Sequence, residues 1–301
     1  MAKPVVFVIG CSGQVGSATI RALSAKYAYK LDIRAGTRNP ASDKAVELKL
    51  PGVTLVQAEM GSETLTETLK GVDALYIVPP GGTDKRPELA IRTAESAKNA
   101  GVKFVLFASD FAACVLPDTI FGKQYTQIET RLSEIGIPYC SLRLPIFIDN
   151  FRRWEFKKAL QQQSSIISPL NPEKPFAAVL VEDLGKAAAV ILAEPSKHAG
   201  KIYRIVSDRF SYNDITRAFS EALGKQLKYV KVSYDDTKRH LLHHGFPEWE
   251  ADAILEIEKL IDSDCPVTDA NQADMSLYKA ITGEDPTTVR AWLAKVEHDF
   301  K

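Results

Sequence analysis

The stretch VVFVIGCSGQVGSATIRALSAKY, Val5 to Tyr27, decides the fold. Val5 to Ile9 form an unbroken apolar run, the pattern of a strand buried on both faces. Gly10, Gly13 and Gly16 follow, and the chain then takes up the spacing of a helix. Each glycine has a separate job. Gly10 permits the tight strand-to-helix turn, Gly13 lets backbone approach a pyrophosphate, and Gly16 lets the helix pack close to the strand. Phosphate oxygens would sit at the helix N-terminus, where unpaired N–H groups and the helix dipole favour negative charge. A glycine triplet alone says little. Placed between a strand and a helix at the opening of a βαβ unit, it is a dinucleotide-binding turn.

The alternation continues outward through LDIRAGTR, SDKAVELKL, VTLVQAEM, ETLTETLKGV, DALYIVPP, ELAIRTAESAKNAGV, KFVLFASD, IETRLSEIGI and PYCSLRLP. Continuous apolar strands between helical patterns predict an α/β fold, a doubly wound parallel sheet covered by helices on both faces. Past Asn150 the beat is lost in ALQQQSSIISPLNPEKP, then strand-like FAAVLV, helical EDLGKAAAVILAE and strand-like KIYRIVS return. From Ser211 the chain reads as almost entirely helical, with LKYVKVS as one strand candidate. The expected division is a nucleotide-binding Rossmann domain over 1–150, with 176–207 returning to it, and a smaller, mostly helical C-terminal substrate or effector domain over 151–175 and 208–301.

Composition narrows the partners. The 301 residues carry 38 Lys and Arg against 38 Asp and Glu. A net charge of zero supplies no field to gather nucleic acid or anionic lipid. The longest apolar runs are too short to span a bilayer, and MAKPVVFVIG shows no cleavage-type signal. Cys11, Cys114, Cys140 and Cys265 lack zinc or C-x-x-C spacing, which suits thiols kept reduced. A cytoplasmic protein, monomer or homodimer, with no metal, is the expectation.

At the end of the second strand an NAD site presents an acid to the ribose 2′-hydroxyl. Here AGTRNP puts Arg38 there, and a guanidinium suits a 2′-phosphate, so NADP(H) is the expected cofactor. Thr37, Asn39 and Lys44 are further candidate contacts. The alternative is a solvated surface arginine.

VIGCSGQVGSATIRAL, AGTRNP, GIPYCSLRLPIFIDNF, VLVEDLGKAAAVIL and TTVRAWLAKVEHDF together resemble the NmrA-like family of atypical short-chain dehydrogenase/reductases, over nearly the whole chain. The resemblance implies an NADP(H)-binding Rossmann domain. It implies either a reductase of quinones and related carbonyl or enone compounds, or a non-catalytic NADP(H) sensor acting through a protein partner. By the same resemblance Gly10, Ser12, Gly13, Gln14, Val15 and Gly16 match the phosphate turn and Arg38 the 2′-phosphate reader. Ala58, Glu59 and Met60 border the adenine, although only Glu59 keeps the family's pattern. Val78, Pro79 and Pro80 lie beside the cofactor, Ser109 near the nicotinamide, and Pro145, Ile146, Phe147 and Asn150 border nicotinamide and substrate. Ser109, and the prolines as strand stops, also have plain structural readings.

DTIFGKQYTQIE, Asp118 to Glu129, falls where such relatives keep proton machinery. The superfamily's Tyr-x-x-x-Lys pair is absent, since Glu129 stands four residues past Tyr125. The single lysine of other relatives is replaced by Tyr125, with Lys123 two residues earlier. Phe121, Tyr125, Ile128, Leu132 and Ile135 form one apolar stripe, so Tyr125 should face inward. Lys123, about 200° around the helix, should face outward unless the helix begins after it. Tyr125, Ser109 and Lys123 are the candidate catalytic groups.

Three further features have bland readings beside sharper ones. His240, His243 and His244 could sit at a solvated helix end or hold a metal. Cys11 in the phosphate turn could have a lowered thiol pKa. Phe151, Trp154 and Phe156 could line a flat pocket or pack a core.

Overall fold

The computed structural model describes residues 2–152, 154–263 and 274–300; Cys265 and the side chain of Trp154 lie outside what is described. β1 (Val5–Ile9), β2 (Asp32–Thr37), β3 (Val53–Gln57), β4 (Ala74–Ile77), β5 (Phe104–Asp110), β6 (Tyr139–Leu144) and β10 (Ile202–Arg204) make one sheet in the order β3-β2-β1-β4-β5-β6-β10. Every neighbouring pair in it is parallel. The connection between β1 and β2 runs to one side and that to β4 to the other. A crevice therefore opens at the carboxyl ends of β1 and β4, the switch point where such sheets bind ligands.

Alternate residues of the buried strands face opposite ways. Val6 and Val8 of β1 join the core under α1 (Gln14–Tyr27) and α7 (Val181–Ala193). Phe7 and Ile9 join the core under α4 (Arg86–Ala100) and α5 (Ile120–Ile135). The doubly wound α/β fold is thus present. Two helices are shorter than the apolar pattern implied: α2 is Asp43–Val46 and α3 is Leu65–Thr68, single turns between strands.

The DLG segment now has a physical role. A Cβ on Gly185 would lie 2.6 Å from the backbone carbon of Ala18, so only glycine lets α7 approach α1 this closely. Asp183, fully buried, accepts hydrogen bonds from Thr287 N (2.8 Å) and Thr287 Oγ1 (2.9 Å), which moors the C-terminal segment to α7.

The rest of the chain forms a second core. β7 (Ile146–Phe147), β9 (Phe176–Val179) and β11 (Asp208–Phe210) make a three-stranded sheet, and β8 (Ser165–Ser168) pairs with β12 (Lys228–Lys231). Around them lie α6 (Trp154–Gln163), α8 (Tyr212–Leu223), α9 (Tyr234–His243), α10 (Glu248–Asp262), α11 (Ser276–Thr282) and α12 (Val289–Val296). β7, β8 and β11 do not stand out in the sequence, because strands of two to four residues carry too little alternation to detect. Phe151 and Phe156 pack edge to face at 4.7 Å within this core, alongside Phe210, Phe219 and Trp292, rather than lining a pocket. No described helix is long and apolar enough to cross a membrane.

Candidate active site

The phosphate turn is built by close contacts that exclude side chains. Gly10 has φ +85°, and a Cβ there would lie 2.8 Å from Val78 O; on Gly16 it would lie 2.4 Å from Gly10 O. The N–H groups of Gly10 and Cys11 both donate to Gly36 O at 3.2 Å, which ties the turn to the end of β2. Gly13 is the N-cap of α1 and no side chain caps it, nor does an acid stand in the first helical turn. The helix therefore presents its free N–H groups and positive dipole end to the crevice, with Ser12 half-buried and Gln14 exposed beside it. Two residues beyond Gly36, Arg38 is exposed and pairs with no carboxylate of the described residues. Asn39 and Lys44 are exposed nearby in sequence, whereas Thr37 is buried and its carbonyl accepts from Ala58 N at 2.9 Å. Glu59 is exposed after β3, and Met60 packs against the α4/α5 core. This set fits a dinucleotide carrying a 2′-phosphate: a cradle that any Cβ would fill, an uncapped helix end and an unpaired cation.

Beside β1, Val78, Pro79 and Pro80 continue from the end of β4. Pro80 O accepts from Arg86 Nε at 2.9 Å. Arg86 is 4% exposed, its Nη1 donates to Gln124 Oε1 at 2.8 Å, and its guanidinium carbon lies 5.3 Å from the ring centre of Tyr125. Tyr125 projects inward and packs on Phe107, centroids 6.2 Å apart, while Lys123 is exposed. Thr119 caps the helix through Gly122 N, so α5 has already begun at Lys123. Burial raises the Tyr125 hydroxyl pKa, and the Arg86 cation opposes that rise. Asp110, at the end of β5, accepts from Ala112 N at 2.8 Å; burial pushes its carboxyl up to about 6, against the pull of that N–H and of Arg86.

Ser109 is engaged elsewhere. Its Oγ donates to Glu129 Oε1 at 2.6 Å, and Glu129 also receives Arg143 Nε (3.1 Å) and Nη2 (2.6 Å). All three are buried. Burial works against the Arg143 charge, but the hydrogen bond and charge of Glu129 prevail and raise its pKa. This bidentate pair lies between β5, β6 and α5 beneath the crevice. Glu129, which in the sequence registers only as a missing lysine, is the centre of the network. The one signal for it is an arginine inside the apolar SLRLP strand, since a buried arginine needs an acid.

Phe147 lies on the other side. With Val15 and Val78 it packs against the α1/α7 core, whereas Ile146, like Phe121, packs against the second core. Pro145 and Asn150 are half-buried around β7, and Asp149 caps α7 by accepting from Val181 N at 2.8 Å. The structure thus groups Tyr125, Arg86, Gln124 and Asp110 on the α4/α5 side, and Phe147 with the phosphate turn. A surface groove of about 790 Å³ runs between α1 and α7; Gln14 and Asp149 line it, but not Arg38, Arg86 or Tyr125.

Cys11 follows the blander of its two readings. Its thiol is fully buried under α1, and burial pushes its pKa up to about 11 against a backbone hydrogen bond, the reverse of activation. His240, His243 and His244 are exposed at the end of α9, with His244 Nδ1 2.8 Å from His240 O. The described residues hold no group of three or more metal-ligating side chains.

Known proteins agree with this architecture. Over 253 residues the chain is 28% identical to quinone oxidoreductase 2 of Escherichia coli, covering 83% of this chain and 86% of that protein. It is 26% identical over 262 residues to an NAD(P)H azoreductase of Xenophilus azovorans, covering 86% and 88%. The structure of an NADPH-dependent quinone oxidoreductase from Escherichia coli, solved with NADPH, superposes with a TM-score of 0.79 at 27% identity, over 98% of this chain and 100% of that one. The family's sequence model matches residues 2–293, and the chain belongs to the NmrA-like family.

Proposed function

We propose that the protein is an NADPH-dependent reductase that transfers hydride to a small planar electrophile, such as a quinone or a related carbonyl or enone compound. NADP(H) is the cofactor, and when bound it supplies the hydride. The observation that carries this reading is the juxtaposition of an uncapped α1 and an unpaired Arg38 with a crevice whose far end holds the buried groups around Tyr125.

The chain's own residues bind and orient. The N–H groups of the α1 N-terminus receive the pyrophosphate and Arg38 the 2′-phosphate. Val78 to Pro80 would hold the nicotinamide at the end of β4, and Phe147, which packs on the same core as Val15 and Val78, would border it. Tyr125 offers a hydroxyl with no protein partner among the described residues; its raised pKa makes it a hydrogen-bond donor to the acceptor rather than a rapid proton source. Ser109 and Arg143, tied to Glu129, hold β5 and β6 in register beneath the site and so act as positioning residues. Lys123 is exposed on α5 and has no role in this reading. A quinone suits such a site because positioning dominates hydride transfer and the product can take its proton from solvent.

Stopped-flow oxidation of NADPH across a panel of quinones tests the proposal. Turnover with at least one acceptor is expected, falling when Tyr125 is replaced by Phe; tight NADPH binding with no turnover on any acceptor would refute it. That outcome favours a second reading, a non-catalytic NADP(H) sensor. Its support is the hydrogen bond from Gly82 N to Glu250 Oε1 (3.1 Å), a direct tie from the cofactor loop to α10.

A further inference from the structure

Arg86 is a buried cation that makes no contact ion pair among the described residues. Its side chain is almost wholly enclosed, yet no carboxylate of the described residues comes within 4 Å of its nitrogens. Burying a charge without a contact partner carries a desolvation cost, so such a residue needs a reason to stay. Part of the cost is recovered from three aromatic faces. The guanidinium carbon lies 5.5 Å from the ring centre of Phe121, 5.3 Å from that of Tyr125 and 5.9 Å from that of Trp249. Two neutral acceptors, Pro80 O and Gln124 Oε1, take Nε and Nη1. Nη2 donates to no described residue, and it is not among the sealed orphan atoms of the described residues, which are Tyr76 Oη, Ser141 Oγ and Glu258 Oε2. The nearby acids are otherwise occupied: Asp110 caps Ala112 N and Glu250 accepts from Gly82 N.

The geometry points to Arg86 as the oxyanion seat of the acceptor site: its free Nη2 receives the oxygen on which negative charge develops when a planar acceptor is reduced. The inference rests on the reductase reading for its reaction but not for its anion. In that reaction the acceptor gains two electrons and one proton as hydride, the nicotinamide is oxidised, and the acceptor oxygen is left as an anion that solvent then protonates. A fixed cation in an aromatic, water-poor setting stabilises that charge more than water does. It thereby supplies what the absent Tyr-x-x-x-Lys pair would have supplied. Pro80 and Gln124 hold the fork so that it need not reorganise.

The test uses the complex with NADP⁺, which cannot transfer hydride, and titrates it calorimetrically with 4-nitrophenolate and with the neutral 4-nitroanisole, at a pH where the phenol is ionised. The wild type should prefer the phenolate. Arg86→Met should lose about ten- to a hundredfold in phenolate affinity with the anisole unchanged, and Arg86→Lys should recover part of it. Gln124→Glu keeps Arg86 in place but gives it a contact counter-ion, so it too should weaken the phenolate, and it guards against misfolding of the Met variant. An unchanged far-ultraviolet circular dichroism spectrum and melting transition in each variant shows that the fold is intact. A wild type without phenolate preference, or a preference that survives both Arg86→Met and Gln124→Glu, overturns the oxyanion seat. Failure of the reductase reading shows separately, as absence of NADPH oxidation with quinones, and leaves the phenolate result decisive for Arg86.

Discussion

Replacing Glu129 by Ala should destabilise the protein far more than the loss of one surface acid would. In the native fold Glu129 is 4% exposed, accepts Ser109 Oγ at 2.6 Å, and grips Arg143 through bonds of 3.1 and 2.6 Å. Removing it leaves the Arg143 guanidinium, 8% exposed, without a counter-ion, and strands the Ser109 hydroxyl. Breaking a buried pair from one side costs about 3–5 kcal/mol, because the surviving charge has lost both water and partner. For a chain of this size each kcal/mol moves the melting temperature by about 2–4 °C, so a fall of roughly 6–20 °C is expected. Urea unfolding followed by circular dichroism measures the free energy, with an unchanged slope showing that the same fold is melting. The paired change Glu129→Ala with Arg143→Met should be less damaging than Glu129→Ala alone, since both charges then leave together. A loss below about 1 kcal/mol, or a double variant that is worse than the single, would refute the claim that this is a buried, mutually dependent pair.

Other expectations follow from single contacts. Arg38→Ala should weaken NADPH about ten- to a hundredfold and leave NADH unchanged, as read by calorimetry; equal losses for both nucleotides would show that Arg38 does not read the 2′-phosphate. Gly16→Ala should cost about 1–3 kcal/mol and abolish tight nucleotide binding, because the new Cβ would lie 2.4 Å from Gly10 O and 2.8 Å from Cys11 Cα, both backbone. Wild-type NADPH affinity in that variant would show that the turn can open. Glu258 is pushed up to about 7 by burial and by Asp262, and its Oε2 has no hydrogen-bond partner among the described residues. Its contribution to stability is therefore full below its ordinary pKa and is lost as pH rises through about 7, by up to about 3 kcal/mol. Glu258→Gln should accordingly be more stable than wild type above pH 7 and lose that advantage in acid; parallel stability curves across the range would count against the assignment.

What the sequence alone determined is what local sterics and periodicity encode. The unbroken apolar strands, the three glycines and the helix behind them specify a parallel sheet with a nucleotide turn, because each depends on residues a few positions apart. The stripe on α5 likewise sends Tyr125 in and Lys123 out, as a 100° step per residue requires. The tertiary structure decided which polar groups meet. Glu129 finds Ser109 and Arg143 on two neighbouring strands, and Arg86 finds Trp249 far along the chain on α10; no spacing in the sequence announces either meeting. The short strands β7, β8 and β11 exist only because partners lie beside them. Chemistry at the acceptor end thus depends on desolvation and charge pairing across elements, and those arise only once the elements pack.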